Sequence, residues 1–188
     1  MESIKNERPV QPSRLRTTGS EIVLWLRILT SAAVYATVIV TFGFQMARVE
    51  GRSMEPTLRD QDRLVINKLA YHLHAPRLGD VVMLRHPNRP EDTLVKRVVA
   101  GPGDAVAFRN GVMLRNGEVS TEPSVPTGLR STESRPATIV PDGFYFVLGD
   151  HRINSADSRV FGPVPSRYIL GRVELRWWPL ADVRSFDP

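Results

Sequence analysis

The stretch Leu94-Val-Lys-Arg-Val-Val-Ala-Gly-Pro-Gly-Asp104 reads as a β-strand running into a tight turn: leucine and valines surround two basic residues, and Gly-Pro-Gly then breaks the run. Runs of the same kind recur on both sides, at 63–66, 80–84, 93–99, 105–108, 112–114, 143–148 and 171–177, each short and either alternating or wholly apolar. Between them stand Pro87-Asn88, Asn110-Gly111, Asn116-Gly117 and Pro141-Asp-Gly143, all able to reverse the chain. The fold class that follows is mostly β. The two Asn-Gly pairs bracket Val112-Met-Leu-Arg115 and predict tight hairpins there. Residues 119–138 are rich in Ser, Thr and Pro and read as an exposed excursion. No internal repeat is visible.

Upstream the pattern changes. Residues 28–47 contain no charge and are flanked by Arg27 and Arg48. As a helix they reach about 30 Å, the hydrocarbon thickness of a bilayer. The expected organisation is a disordered cytoplasmic tail over 1–27, a transmembrane helix over 28–47 and an extracytoplasmic β domain over 48–188. A cleaved secretory signal is the rival reading, but its apolar region spans only about 7 to 15 residues. Lys5, Arg8, Arg14, Arg16 and Arg27 precede the span and set the N-terminus in the cytoplasm. Trp25 falls at one interface.

Composition narrows the function classes. The 188 residues suffice for one compact domain plus an anchor. Without cysteine there is no disulfide, thiolate metal site or cysteine nucleophile. The net charge of +5 divides into +2 before the apolar span and +3 after it, with no concentrated basic stripe, which argues against nucleic acid as partner.

Lys96 is the residue that asks for an explanation. Of 25 basic residues only Lys5, Lys68 and Lys96 are lysine, so this chain uses arginine wherever a positive charge suffices. Arginine keeps its proton in a protein, whereas a desolvated lysine can lose it near neutral pH and act as a base. The plain alternative is a lysine snorkelling from a strand with its ammonium in water. A nucleophile for such a base is offered by Ser53 in Val49-Glu-Gly-Arg-Ser-Met-Glu-Pro-Thr-Leu58, directly after the apolar span. By itself that serine reads equally as a turn residue bonded to its own backbone.

Three blocks together resemble the type I signal peptidases, the membrane-bound serine-lysine endopeptidases (signal peptidase I, or leader peptidase) that remove signal peptides from exported proteins. They are Gly51-Arg-Ser-Met-Glu-Pro-Thr-Leu58, Lys96-Arg-Val-Val-Ala-Gly-Pro-Gly-Asp104 and Gly149-Asp-His-Arg-Ile-Asn-Ser-Ala-Asp-Ser-Arg-Val-Phe-Gly162. The resemblance implies a coiled antiparallel β-sheet domain on one N-terminal transmembrane helix, with Ser53 as nucleophile and Lys96 as general base, and with no cofactor. It implies that Ser155 hydrogen-bonds and orients the lysine. Relatives with a serine two positions before the nucleophile can use its hydroxyl at the oxyanion; here that position is Gly51, and a backbone N–H is expected as second donor beside the N–H of Ser53. Asp150, Arg152, Asp157 and Arg159 read as ion pairs pinning the third block beside the site. His151 stands where asparagine is usual and reads as a local polar contact; His72, His74 and His86 do not complete a metal site with it.

The implied partners are preprotein signal peptides and the lipid bilayer, the peptide lying extended along a strand edge with small residues, typically alanine, at the first and third positions before the cut. Met54, Trp177 and Trp178 read either as core or as an apolar rim at the bilayer interface. Other functions stay open: a specialised processing peptidase with few substrates, an inactive anchored scaffold, or a self-cleaving repressor. The last lacks its DNA-binding domain, since 27 residues and a span occupy that place.

Overall fold

The computed structural model describes residues 17–186. The tail expected over 1–27 therefore lies outside the described residues up to position 16, and from Thr17 onward it is helical instead. Helix α1 (Thr17–Gly43) is longer at its start than the expected 28–47 span and shorter at its end. Arg27 interrupted the apolar count, but leucine and arginine are good helix formers and one charge does not end a helix. Residues 19–43 are long and apolar enough to cross a membrane, about 37 Å of helix. Within them the Ser31 hydroxyl donates to the Ile28 carbonyl at 2.9 Å and the Thr37 hydroxyl to the Ala33 carbonyl at 2.8 Å, so neither needs water. Contacts divide the chain at Val40–Thr41 into this helical unit and a β unit.

Where the apolar span was expected to end, the chain is already strand β1 (Phe44–Arg48), paired residue for residue with β2 (Arg63–Asn67). Apolar content alone cannot separate the last turn of a helix from such a strand; only the distant partner does. There follow α2 (Ala70–Leu73), β3 (Val81–His86), β4 (Arg89–Ala100), β5 (Ala105–Arg109), β6 (Val112–Arg115), β7 (Glu118–Val119), β8 (Arg135–Ile139) and β9 (Phe144–Leu148). The last part holds α3 (Ser158–Phe161), β10 (Val164–Pro165), β11 (Ile169–Trp178) and β12 (Arg184–Ser185). All seven expected strands are present. An eight-stranded sheet runs β1-β2-β11-β3-β4-β9-β10, with β12 on β11, and a four-stranded sheet runs β7-β6-β5-β8. Every pairing is antiparallel. Bulges interrupt the β11, β3–β4 and β4–β9 ladders, and bulges bend and twist the strands that carry them.

The wholly apolar run of β3 has a simple cause. Val81 and Met83 enter one buried cluster with Met54, Leu58, Leu64 and Ile66, while Val82 and Leu84 enter another with Val98 and Val147, so the sheet is covered on both faces here. A third cluster joins Phe146 and Leu148 of β9 to Val106, Phe108 and Met113 of the small sheet. Both Asn-Gly pairs turn with positive φ at both residues (47° and 77°, then 54° and 86°), as two-residue hairpins need. Strand β8 falls in the segment expected to be an excursion; all five of its residues are exposed, so no alternation announces it.

Candidate active site

Ser53 sits in a loop that closes on Val49, whose N–H donates to the Asp62 carbonyl (2.8 Å) and whose carbonyl accepts from Gln61 N–H (2.9 Å). Met54 and Leu58, 1% and 0% exposed, anchor that loop in the core. This settles Met54 as core; it is no part of an exposed rim. The anchored loop holds the Ser53 side chain over β4. There Lys96 Nζ donates to Ser53 Oγ at 2.7 Å while the lysine is only 2% exposed. Burial pulls the Lys96 pKa from 10.5 to about 8, against the opposing pull of the Asp157 and Asp150 carboxylates, and Arg159 lowers it further. A lysine in that state is a neutral base in an appreciable fraction of molecules near neutral pH. Among the described residues the Ser53 N–H donates no hydrogen bond, which leaves a donor beside the hydroxyl.

Gly51 is different. Its N–H donates to Asp60 Oδ1 at 2.8 Å, so this N–H is engaged within its own loop. The physical reason is the turn itself: φ of +88° at Gly51 aims its N–H at the Asp60 carboxylate.

The third block packs directly on the nucleophile. The His151 N–H donates to the Ser53 carbonyl at 3.1 Å. A Cβ on Gly149 would lie 2.4 Å from that carbonyl oxygen and 2.3 Å from Ser155 Oγ, so only glycine fits and Ser155 neighbours the Ser53 backbone. The expected hydrogen bond from Ser155 to Lys96 is not formed; Ser155 Oγ is buried without a partner. His151 Nδ1 lies 3.7 Å from Glu55 Oε2, beyond hydrogen-bond reach, and is buried without a hydrogen-bond partner, so the expected polar contact is only an approach.

The four charged residues of this block are not exposed and do not simply pair with one another. Asp157 and Arg159 do pair, through Nε–Oδ1 and Nη2–Oδ2 contacts of 2.8 Å each, and Asp157 also accepts the Gly149 N–H at 3.1 Å. Asp150, 0% exposed, is instead held by Arg97 of β4 at 2.9 and 2.7 Å and by the Thr57 hydroxyl. Arg152 donates through Nη1 and Nη2 to Glu122 and through Nε to the Gly149 carbonyl at 3.0 Å. All four thus sit in ion pairs, as expected, but for Asp150 and Arg152 the partners come from β4 and the 118–125 segment, far along the chain. Arg97, Thr57, Glu122 and Gly149 were thus missed; a second charge beside Lys96 in an apolar strand was the available signal for Arg97. As adjacent strand residues, Lys96 and Arg97 face opposite sides of the sheet. A cavity of about 600 Å³ on the Arg97 side, walled by Thr57, Phe186 and segment 118–125, includes neither Ser53 nor Lys96.

One edge of β4 is open where the pair lies. Thr93 to Arg97 pair with β3, but β9 joins only from Arg97 onward, so beside 93–96 the other edge has no partner strand among the described residues. Trp178 is 44% exposed, with the Arg63 guanidinium 5.6 Å and 5.9 Å from the Trp177 and Trp178 ring centres.

Fold and site define a class: an antiparallel β domain with a buried lysine hydrogen-bonded to a serine hydroxyl. The family model described as signal peptidase, peptidase S26, matches residues 22–178. The chain is 32% identical over 185 residues to signal peptidase IB of Staphylococcus aureus (89% of this chain, 96% of the relative). To a probable signal peptidase I-1 of Synechocystis sp. it is 36% identical over 160 residues (81% and 80%). A solved signal peptidase I from Enterococcus faecalis aligns at 28% identity and TM-score 0.47, over 53% of this chain and 97% of that one. The chain belongs to the signal peptidase family, peptidase S26. It is accordingly a hydrolase of the serine endopeptidase kind.

Proposed function

We propose that this protein is a membrane-anchored endopeptidase that removes signal peptides from exported preproteins, with Ser53 as nucleophile and Lys96 as general base. The observation that carries the proposal is the 2.7 Å Lys96 Nζ–Ser53 Oγ contact of a lysine whose pKa burial has lowered to about 8. An extended substrate adds to the open edge of β4 beside 93–96, which presents its scissile carbonyl near Ser53. Neutral Lys96 accepts the Ser53 proton as Oγ attacks that carbonyl. The Ser53 N–H donates to the oxyanion that forms. Lys96, now an ammonium, returns the proton to the leaving amine, and an acyl-enzyme remains. A water then gives its proton to Lys96 and attacks the ester carbonyl; as the ester bond breaks, Lys96 passes that proton to Ser53 Oγ and the signal peptide is freed. The Ser155 hydroxyl, buried and unpaired next to the Ser53 backbone, serves as acceptor for the charged lysine once its own bond to Ser53 has gone.

Helix α1 anchors the chain, with the basic N-terminal residues on the cytoplasmic side and the β domain outside. Exposed Trp178 and Leu180 suit the headgroup layer. The test is cleavage of a preprotein bearing an Ala-X-Ala site by the full chain in detergent, beside Ser53→Ala, with the cut mapped by mass spectrometry. Cutting after the last alanine by wild type alone is expected. Folded wild type that cuts nothing would favour a specialised peptidase or an inactive scaffold.

A further inference from the structure

The cavity of about 600 Å³ on the Arg97 side of β4 takes no part in the serine-lysine chemistry, and its charges do not balance. Two of its arginines are neutralised, Arg97 by Asp150 and Arg152 by Glu122. Arg115, Glu118 and Arg184 also line it and enter no ion pair among the described residues. Glu118 stands opposite Arg115 in the β6–β7 ladder and offsets that charge. Arg184 has no such offset. Its register partner across the β11–β12 ladder is Arg176, another cation, itself bound to Asp62 at 3.1 Å. Like charges set opposite each other repel, so the site favours an anion beside Arg184. The Arg184 guanidinium lies 5.7 Å from the ring centre of Phe186, a buried residue on the wall of the same cavity. Arg184 is exposed and Arg115 half-buried, so both keep surface for a ligand. The same holds for Ser120, Thr121, Ser124 and Ser185 around them, whose hydroxyls make no hydrogen bond to the protein among the described residues. An accessible guanidinium and several free hydroxyls on one cavity match an anion with several acceptor oxygens, and a phosphate is such a group.

Two features say whose phosphate it is. Leu78 and Val119, 44% and 69% exposed, join Phe186 on the cavity and offer apolar surface that an inorganic ion does not use. Arg184 also directly follows an apolar tip, since Trp178, Leu180 and Val183 are all exposed. We propose that this cavity is a headgroup site for an acidic phospholipid, the phosphate held by Arg184 and the free hydroxyls while the glycerol and first methylenes lie on Leu78, Val119 and Phe186. The one surplus positive charge matches a headgroup with one net negative charge. The site rests on the membrane-anchored reading and adds a lipid preference to it.

The test uses the full chain in detergent, equilibrated with equal amounts of phosphatidylglycerol and phosphatidylcholine, and counts the lipids it retains by native mass spectrometry. Wild type is expected to keep one phosphatidylglycerol per chain, in about tenfold preference over phosphatidylcholine, the size of one charge-assisted hydrogen bond. Arg184→Gln should bring that ratio to about one, and Arg184→Lys should restore most of it. Arg63→Gln removes a guanidinium from the neighbouring Trp177–Trp178 pair but not from the cavity, and should leave the ratio unchanged. Because each ratio compares two lipids on one variant, lipid held merely by an apolar helix does not produce this pattern. An excess of inorganic phosphate should not displace the retained lipid. Sedimentation of wild type with phosphatidylcholine vesicles reports anchoring separately. A chain that stays in solution there yet prefers phosphatidylglycerol through Arg184 defeats the membrane reading and leaves the site standing. Equal retention of the two lipids by wild type, a preference that survives Arg184→Gln or is lost in Arg63→Gln, or displacement by inorganic phosphate overturns the headgroup site.

Discussion

Replacing Lys96 by methionine keeps most of the side chain's volume and removes its charge, and it should stabilise the protein while abolishing cleavage. Burial lowers the lysine's folded-state pKa from 10.5 to about 8. Each pKa unit corresponds to about 1.4 kcal/mol, so folding with the lysine charged costs about 3 kcal/mol near neutral pH. The pH dependence has a definite sign. Below about 8 both states hold the proton and the cost is complete; between about 8 and 10.5 the unfolded chain holds a proton that the folded one has lost, so wild-type stability rises with pH; above 10.5 the cost is gone. Methionine also forfeits the hydrogen bond to Ser53, worth about 1 kcal/mol. The net gain expected near pH 7 is about 2 kcal/mol, or roughly 4 to 8 °C in Tm for a domain of this size. Urea unfolding of both full chains in detergent, followed by tryptophan fluorescence across the pH range, measures it. The gain should be constant in mild acid and shrink steadily above about pH 8. A variant no more stable than wild type at neutral pH, or a difference that ignores pH, would refute the reasoning that burial has depressed this lysine.

The pH profile of kcat/KM should rise as Lys96 deprotonates around its pKa of about 8 and then level. Lys96→Arg keeps the charge without the basicity and should lower kcat by about 10⁴-fold or more; near-normal turnover there would sink the base assignment. Asp150→Leu leaves the buried side of Arg97 uncompensated and should cost about 3 to 5 kcal/mol in urea unfolding, much of it recovered in Asp150→Leu with Arg97→Met. Gly149→Ala should cut kcat by displacing Ser53, and Ser155→Gly should not rescue it, because the added Cβ still meets the Ser53 carbonyl oxygen 2.4 Å away. Mass-spectrometric cleavage assays with a circular-dichroism check on folding decide both halves of that statement.

Local chemistry wrote much of this protein into its sequence. Alternation and β-branching marked the seven principal strands, Asn110-Gly111 and Asn116-Gly117 marked their hairpins, and charge-free length marked an apolar helix near residue 28. Each of these depends on neighbours a few residues apart. The unusual presence of lysine at position 96 in an arginine-rich chain likewise singled out the residue that meets Ser53, although the two are 43 positions apart.

What tertiary structure decided were the questions that need a distant partner. Residues 44–48 are strand rather than helix because 63–67 lie beside them in register. Asp150 faces Arg97 and Arg152 faces Glu122, since sheet order and the return of segment 118–125 set which charges share a buried space. The Gly51 N–H is held by Asp60, and Ser155 Oγ is left without a hydrogen bond. Turn and strand preferences are properties of a short stretch of chain; pairing and burial are properties of the whole packed sheet, and no local pattern encodes them.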